Sequence, residues 1–229
     1  MEHGTRTRQR AAELVFYFLL SLFAWAIWIP QALHRLGLAE SAVSLRSPAN
    51  ALTVWSPGLA AIILTALTLR GPGVGALLGK LGRWRVSWYW YVVAIFLEPA
   101  RWLLALGIDR VLGRSYELGP MPVKVVLGSA PAFMLVVAVV FTLPNAIGEE
   151  IGWRGFALPR LQEKYADLLI VLIMGLLWEL WHLPLMLNPA NPMSSLPWYG
   201  GWIFSFALST IYTWLYRQTR RSLLPVSIF

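Results

Sequence analysis

Cysteine is absent from the 229 residues, which removes disulfides, thiolate zinc sites and cysteine nucleophiles together. Charge is also scarce. Asp, Glu, Lys and Arg make up 13% of the chain, against about 25% in average soluble domains. Apolar residues account for 58%, so a soluble globular protein is a poor fit. Disorder is excluded more firmly, because 13 Trp, 10 Phe and 8 Tyr offer too much apolar surface to stay in water. No internal repeat and no low-complexity tract is present.

What the chain does have is long uncharged runs. A helix needs about 20 mostly apolar residues to cross the hydrocarbon core. Runs of that size cover 14–33, 47–69, 125–148 and 198–216. Two more, 86–108 and 168–187, are interrupted by Glu98 and Arg101 and by Glu179 and His182. A final stretch, 222–229, begins like a seventh span but is too short to cross. The expected fold is an all-α, polytopic membrane helix bundle of about six full transmembrane helices plus the start of a further one. The first run loosely fits a signal-peptide cleavage site at Ala24-Trp25-Ala26, yet its apolar stretch continues to Ile29, so it reads as an uncleaved helix.

The formal charge of +8 then becomes a statement about topology. With a cytoplasmic N-terminus, the inside segments hold 13 basic residues. They are Arg6, Arg8, Arg10, Arg70, Lys80, Arg83, Arg85, Arg154, Arg160, Lys164, Arg217, Arg220 and Arg221. The outside segments hold 5: Arg35, Arg46, Arg110, Arg114 and Lys124. The positive-inside rule favours this orientation, in a cell membrane. Basic residues scattered over short loops do not make a nucleic-acid surface. The glycine-rich segment 70–85 matches neither phosphate-loop pattern and reads as an amphipathic stretch on the inner leaflet, with Trp84 at the interface.

Ionisable residues at membrane depth are costly, so each one marks a candidate site. Glu98 and Arg101 are spaced to pair with each other. In Gly148-Glu149-Glu150-Ile151-Gly152-Trp153-Arg154-Gly155-Phe156, Glu150 and Arg154 have the favourable i, i+4 order for an ion pair. Glu149 is then left without a local partner and free to act as a base. The alternative is that these charges mark a helix end among lipid headgroups. Gly148 and Gly152, with Gly155 near the same face, form a stripe that lets another helix approach closely. Pro144 is a candidate kink. In Trp178-Glu179-Leu180-Trp181-His182-Leu183-Pro184, His182 is the one histidine expected within the membrane, and a nearby carboxylate would ready it to handle a proton. The alternative for His182 is a hydrogen-bonded core residue. No H-E-x-x-H is present, and zinc normally takes at least three protein ligands. A carboxylate polarising water directly needs no cofactor; a divalent metal such as Zn on Glu149 and His182 stays open.

Glu149-Glu150-Ile151-Gly152-Trp153-Arg154 resembles the E-E-x-x-x-R motif of the CAAX protease and bacteriocin-processing (CPBP) family of intramembrane proteases. Trp178 to His182 resembles that family's second motif, an aromatic residue, three others and a His. The segment from Trp214 to Pro225 is similar to the lead-in to its third. The resemblance runs from about Phe133 to Phe229. It divides the chain into N-terminal transmembrane helices, 1–124, and a CPBP-like catalytic region, 125–229. It implies an intramembrane endopeptidase in which Glu149 activates water, His182 positions it, and Glu150 and Arg154 brace the first glutamate. The expected partners are membrane lipid and a membrane-associated, possibly CAAX-type prenylated, peptide or protein substrate. The family's third motif, a His followed after three residues by Asn, would come directly after Phe229, so the resemblance also implies a catalytic region truncated at its C-terminus. Glu179 departs from the family pattern, which has a small or apolar residue there; pairing with His182 or with another polar group of the bundle is expected. The rival expectation is a non-catalytic pseudoprotease, immunity protein or scaffold. A third is a proton-coupled transporter using Glu98, Glu149 and Glu179, against which stands the lack of two related halves.

Overall fold

The computed structural model describes residues 2–40, 47, 49–113, 142–195 and 197–229, and these are helical throughout their regular parts, without a strand. Helix α1 (Glu2–Ser21) passes through a 3₁₀ turn (Leu22–Ala24) into α2 (Trp25–Arg35). A short α3 (Ala49–Val54) leads into α4 (Ser56–Leu78), which is broken at Arg70, where φ is 56°. After α5 (Tyr89–Val111) the described chain resumes with α6 (Leu143–Glu150), a π-helical segment (Ile151–Ala157) and α7 (Leu158–Gln162). The remainder is α8 (Asp167–Met186), α9 (Trp198–Gln218) and a one-turn α10 (Leu224–Ile228).

Four stretches among the described residues are long and apolar enough to cross a membrane: Arg10–Arg35, Ser56–Leu78, Tyr89–Val111 and Asp167–Met186. They correspond to the first, second, third and fifth apolar runs. Most of the fourth run, including all but two of its residues before Pro144, lies outside the described residues. The sixth run is helical as α9, but Gly200, Gly201, Ser205, Ser209, Thr210 and Thr213 dilute its apolar character, so it falls outside the four. The architecture is the expected all-α membrane bundle. Its surface is correspondingly oily: Phe96, Leu103 and Leu104 on α5, Val15, Phe16 and Leu19 on α1 and Ile203 on α9 are all exposed. Contiguous exposed apolar side chains on this scale suit hydrocarbon rather than water.

The interior is aromatic. Tyr17 of α1 meets Trp153 edge-on at 5.7 Å and Phe156 at 5.0 Å, and Trp181 of α8 meets Trp28 at 4.9 Å and Trp153 at 6.1 Å. Indole N–H groups need acceptors in such an environment. Trp181 Nε1 donates to Ser56 Oγ at 3.0 Å, and Trp25 Nε1 donates to the Trp181 carbonyl at 3.0 Å. These two bonds fix α8 against the start of α4 and against α2.

The glycine stripe performs the close packing its spacing suggests. A Cβ on Gly152 would lie 2.4 Å from the Pro57 carbonyl carbon, and one on Gly58 would lie 2.3 Å from the Gly148 carbonyl oxygen. Helix α6 and the π segment thus rest directly on the backbone of α4. Because the obstacle at Gly152 is backbone, it cannot swing aside. Gly152→Ala is expected to destabilise the fold by about 1–3 kcal/mol, as overpacking does. Gly75→Ala, with nothing within 4 Å of its Cβ, is expected to be tolerated. Thermal unfolding of both variants in detergent checks this, and equal melting temperatures would contradict it.

Candidate active site

Local geometry first separates the two adjacent glutamates. Glu150 closes α6, and Arg154 lies in the middle of the π segment one turn later. The Arg154 guanidinium donates through Nη1 to Glu150 Oε1 at 2.7 Å. The pair is almost fully enclosed, with Arg154 1% and Glu150 3% exposed. Two rings finish the enclosure: the guanidinium carbon sits 3.9 Å from the Tyr212 ring centroid and 5.4 Å from that of Trp178. A carboxylate and two π faces replace part of the cation's water, while Arg154 Nε and Glu150 Oε2 are buried without a hydrogen-bond partner among the described residues. A π segment is a rare deviation that often marks functional positions.

Glu149 has a different partner. Trp178 Nε1 of α8 donates to Glu149 Oε2 at 3.1 Å. One indole N–H leaves the carboxylate most of its acceptor capacity, since an ionised carboxylate has about four lone-pair positions. Trp178 also controls the histidine. His182 Nδ1 lies 3.0 Å from the Trp178 carbonyl oxygen. A carbonyl can only accept, so Nδ1 carries the hydrogen and Nε2 keeps a lone pair. The His182 ring is flanked by Trp178 at 5.3 Å and Trp181 at 4.6 Å. One residue therefore holds Glu149 by its side chain and His182 by its backbone. Both Glu149 and His182 are only partly buried, in contrast to Glu150 and Arg154.

The other ionisable residues at membrane depth fall elsewhere. Glu98 and Arg101 bond each other within α5, with Arg101 Nε 2.8 Å from Glu98 Oε2. Glu179 accepts from Ser205 Oγ of α9, not from His182, and Gly201 leaves room for its second oxygen. Of the two expectations for Glu179, the polar partner within the bundle is the one observed. Among the described residues, no three His, Asp or Glu side chains converge as a metal site. Glu149 and His182 alone fall short of the three protein ligands zinc normally takes.

Sequence reasoning left out the polar work of Trp178 and Tyr212. The signal for Trp178 was present, because a buried indole N–H usually finds an acceptor. Tyr212 belongs to α9, and only the three-dimensional packing brings it to Arg154. It also receives the Phe229 ring at 4.9 Å, and α10 packs against α6. The end of the segment resembling the lead-in to the third motif, which begins α10, thus packs against the helix that carries the glutamates.

Fold and site together define an all-helical membrane protein with a partly buried glutamate and histidine held by one tryptophan, next to a buried ion pair. Residues 131–229 match the family model of Rce1-like type II CAAX prenyl endopeptidases, which bears out the resemblance read from the motifs. The chain is also similar to a CAAX prenyl protease 2 of Methanococcus maripaludis, with 32% identity over 106 residues. That match covers 42% of this chain and 35% of the relative, about a third of its length.

The ion pair makes a quantitative expectation. Removing one partner from a buried pair typically costs about 3–5 kcal/mol, because the other is left charged and unpaired. Arg154→Met and Glu150→Gln are each expected to destabilise strongly, whereas the double variant loses less than the two losses added together. A double-mutant cycle on thermal or denaturant unfolding reads this coupling; additive losses would mean that the pair is not coupled.

Proposed function

We propose that this chain is an intramembrane endopeptidase that hydrolyses a peptide bond in a membrane-associated protein or peptide, with Glu149 and His182 handling the water. The observation that carries this reading is the double hold of Trp178. It keeps one carboxylate and one imidazole lone pair available together, while Arg154 is committed to Glu150. The match to Rce1-like endopeptidases supports a membrane protease and suggests a prenylated C-terminal peptide as the substrate class.

In the proposed reaction, a water molecule donates its hydrogen bonds to the Glu149 carboxylate and to His182 Nε2. Glu149 accepts a proton as the water oxygen bonds to the scissile carbonyl carbon. Collapse of the tetrahedral intermediate breaks the C–N bond, and the proton passes to the departing amine. The products are a carboxylate and a protonated amine, once the new carboxylic acid has given up its proton. General base catalysis of this kind is typically worth factors of about 10²–10⁴. Glu150 and Arg154 act as positioning residues, since the ion pair fixes the π segment next to Glu149. The reaction so written uses no metal. The orientation with a cytoplasmic N-terminus would open this site toward the inner leaflet of the cell membrane, where a lipid-anchored substrate resides.

The test is cleavage of a membrane-tethered peptide by the purified full gene product in proteoliposomes. Glu149→Gln is expected to lower the rate by at least about 10²-fold, and His182→Ala by a similar factor, each without loss of helicity. Trp178→Phe keeps the backbone acceptor for His182 but loses the indole bond to Glu149, so a smaller loss is expected. Full activity of Glu149→Gln would contradict the proposal. An inert wild-type protein that still binds the peptide would favour a non-catalytic binder.

A further inference from the structure

We propose that the loop 79–88 and the turn 219–223 together form a binding surface for anionic phospholipid headgroups. These segments lie between or beside spans: the first joins α4 to α5, and the second joins α9 to α10. They meet directly. Leu223 N–H donates to the Lys80 carbonyl at 3.1 Å, and Arg83 Nη1 donates to the Arg220 carbonyl at 3.3 Å.

The meeting gathers positive charge without a counter-charge. Arg83, Arg85, Arg220 and Arg221 are all exposed. Several other basic side chains are paired: Arg10 with Glu163, Arg160 with Glu13, and Arg217 with Asp167. Among the described residues, none of the four in the cluster joins an ion pair. The mutual repulsion is felt at Lys80, which donates to the Gly155 carbonyl. Burial, together with Arg83, Arg160 and Arg221, brings its ammonium down to about 8. Arg220 and Arg221 also take positive φ, 54° and 58°, in a helix-ending turn where glycine fits more easily.

The aromatic rim identifies the ligand. Trp84 and Trp88, in the loop that leads into α5, are 59% and 75% exposed, and the Arg85 guanidinium lies 5.1 Å from the Trp84 ring centroid. Exposed tryptophans at a span end sit at headgroup level, and a nearby basic cluster attracts acidic lipid. A soluble acidic partner would need the basic residues but not the tryptophan rim.

The experiment follows thermal unfolding of the purified protein in detergent as phosphatidylglycerol or phosphatidylcholine is added. The expected half-saturating concentration is about tenfold lower for phosphatidylglycerol. In a variant carrying Arg83→Gln, Arg85→Gln, Arg220→Gln and Arg221→Gln, the two lipids are expected to become equivalent. Arg85→Gln with Arg221→Gln removes two exposed charges that make no side-chain hydrogen bond among the described residues, and is expected to lose part of the preference. Equal half-saturation in the wild type, or an undiminished preference in these variants, would overturn the proposal. Inorganic phosphate reproducing the lipid's effect would overturn the assignment to a headgroup. The readout does not depend on peptide cleavage, so it stands or falls separately from the proposed activity.

Discussion

The ion pair between Glu150 and Arg154 constrains everything around it. It lies where α6 gives way to the π segment, and it has almost no contact with solvent. Two opposite charges removed from water tolerate little movement, because separation leaves each of them unpaired. Tyr212 and Trp178 close over the guanidinium, so the pair also recruits α8 and α9. With Arg154 hydrogen-bonded to Glu150, the neighbouring Glu149 joins no ion pair among the described residues. The distinct characters of two adjacent glutamates follow from which of them holds the arginine.

Trp178 turns that constraint into a site. Its indole bonds the free glutamate, and its carbonyl sets the hydrogen of His182 on Nδ1. The tryptophan itself is held through its helix, since Trp181, one turn further on, is tied to α4 and α2 by two hydrogen bonds. The glycine contacts of α6 with α4 set the opposing wall. In a lipid-facing bundle there is little hydrophobic force between helices, so close backbone approach and a few polar bonds decide where they meet.

Much of this was legible in the chain. Apolar run length is enough to indicate a membrane bundle, and i, i+4 spacing is enough to couple Glu150 to Arg154, because both depend on local geometry. The close approach of Gly148 and Gly152 was legible for the same reason, though not its target, the Trp55–Gly58 segment. Long-range partners were not legible. Ser205 as the partner of Glu179, Tyr212 over Arg154 and Ser56 under Trp181 each depend on how separate helices rotate against one another. Residues 70–85 illustrate the middle ground. They read as an amphipathic stretch on the inner leaflet, and α4 is broken at Arg70, where that stretch begins, yet the docking of Lys80 against Gly155 and Leu223 has no local signature.

The central claim is that Glu149 acts on water and does not itself attack the peptide. Single-turnover cleavage in ¹⁸O-labelled water tests it most directly, with mass spectrometry of both the product and the enzyme. The account predicts one ¹⁸O in the newly formed carboxylate of the product and none in the Glu149 side chain. Unlabelled product together with ¹⁸O in Glu149 would indicate a covalent acyl intermediate and contradict it.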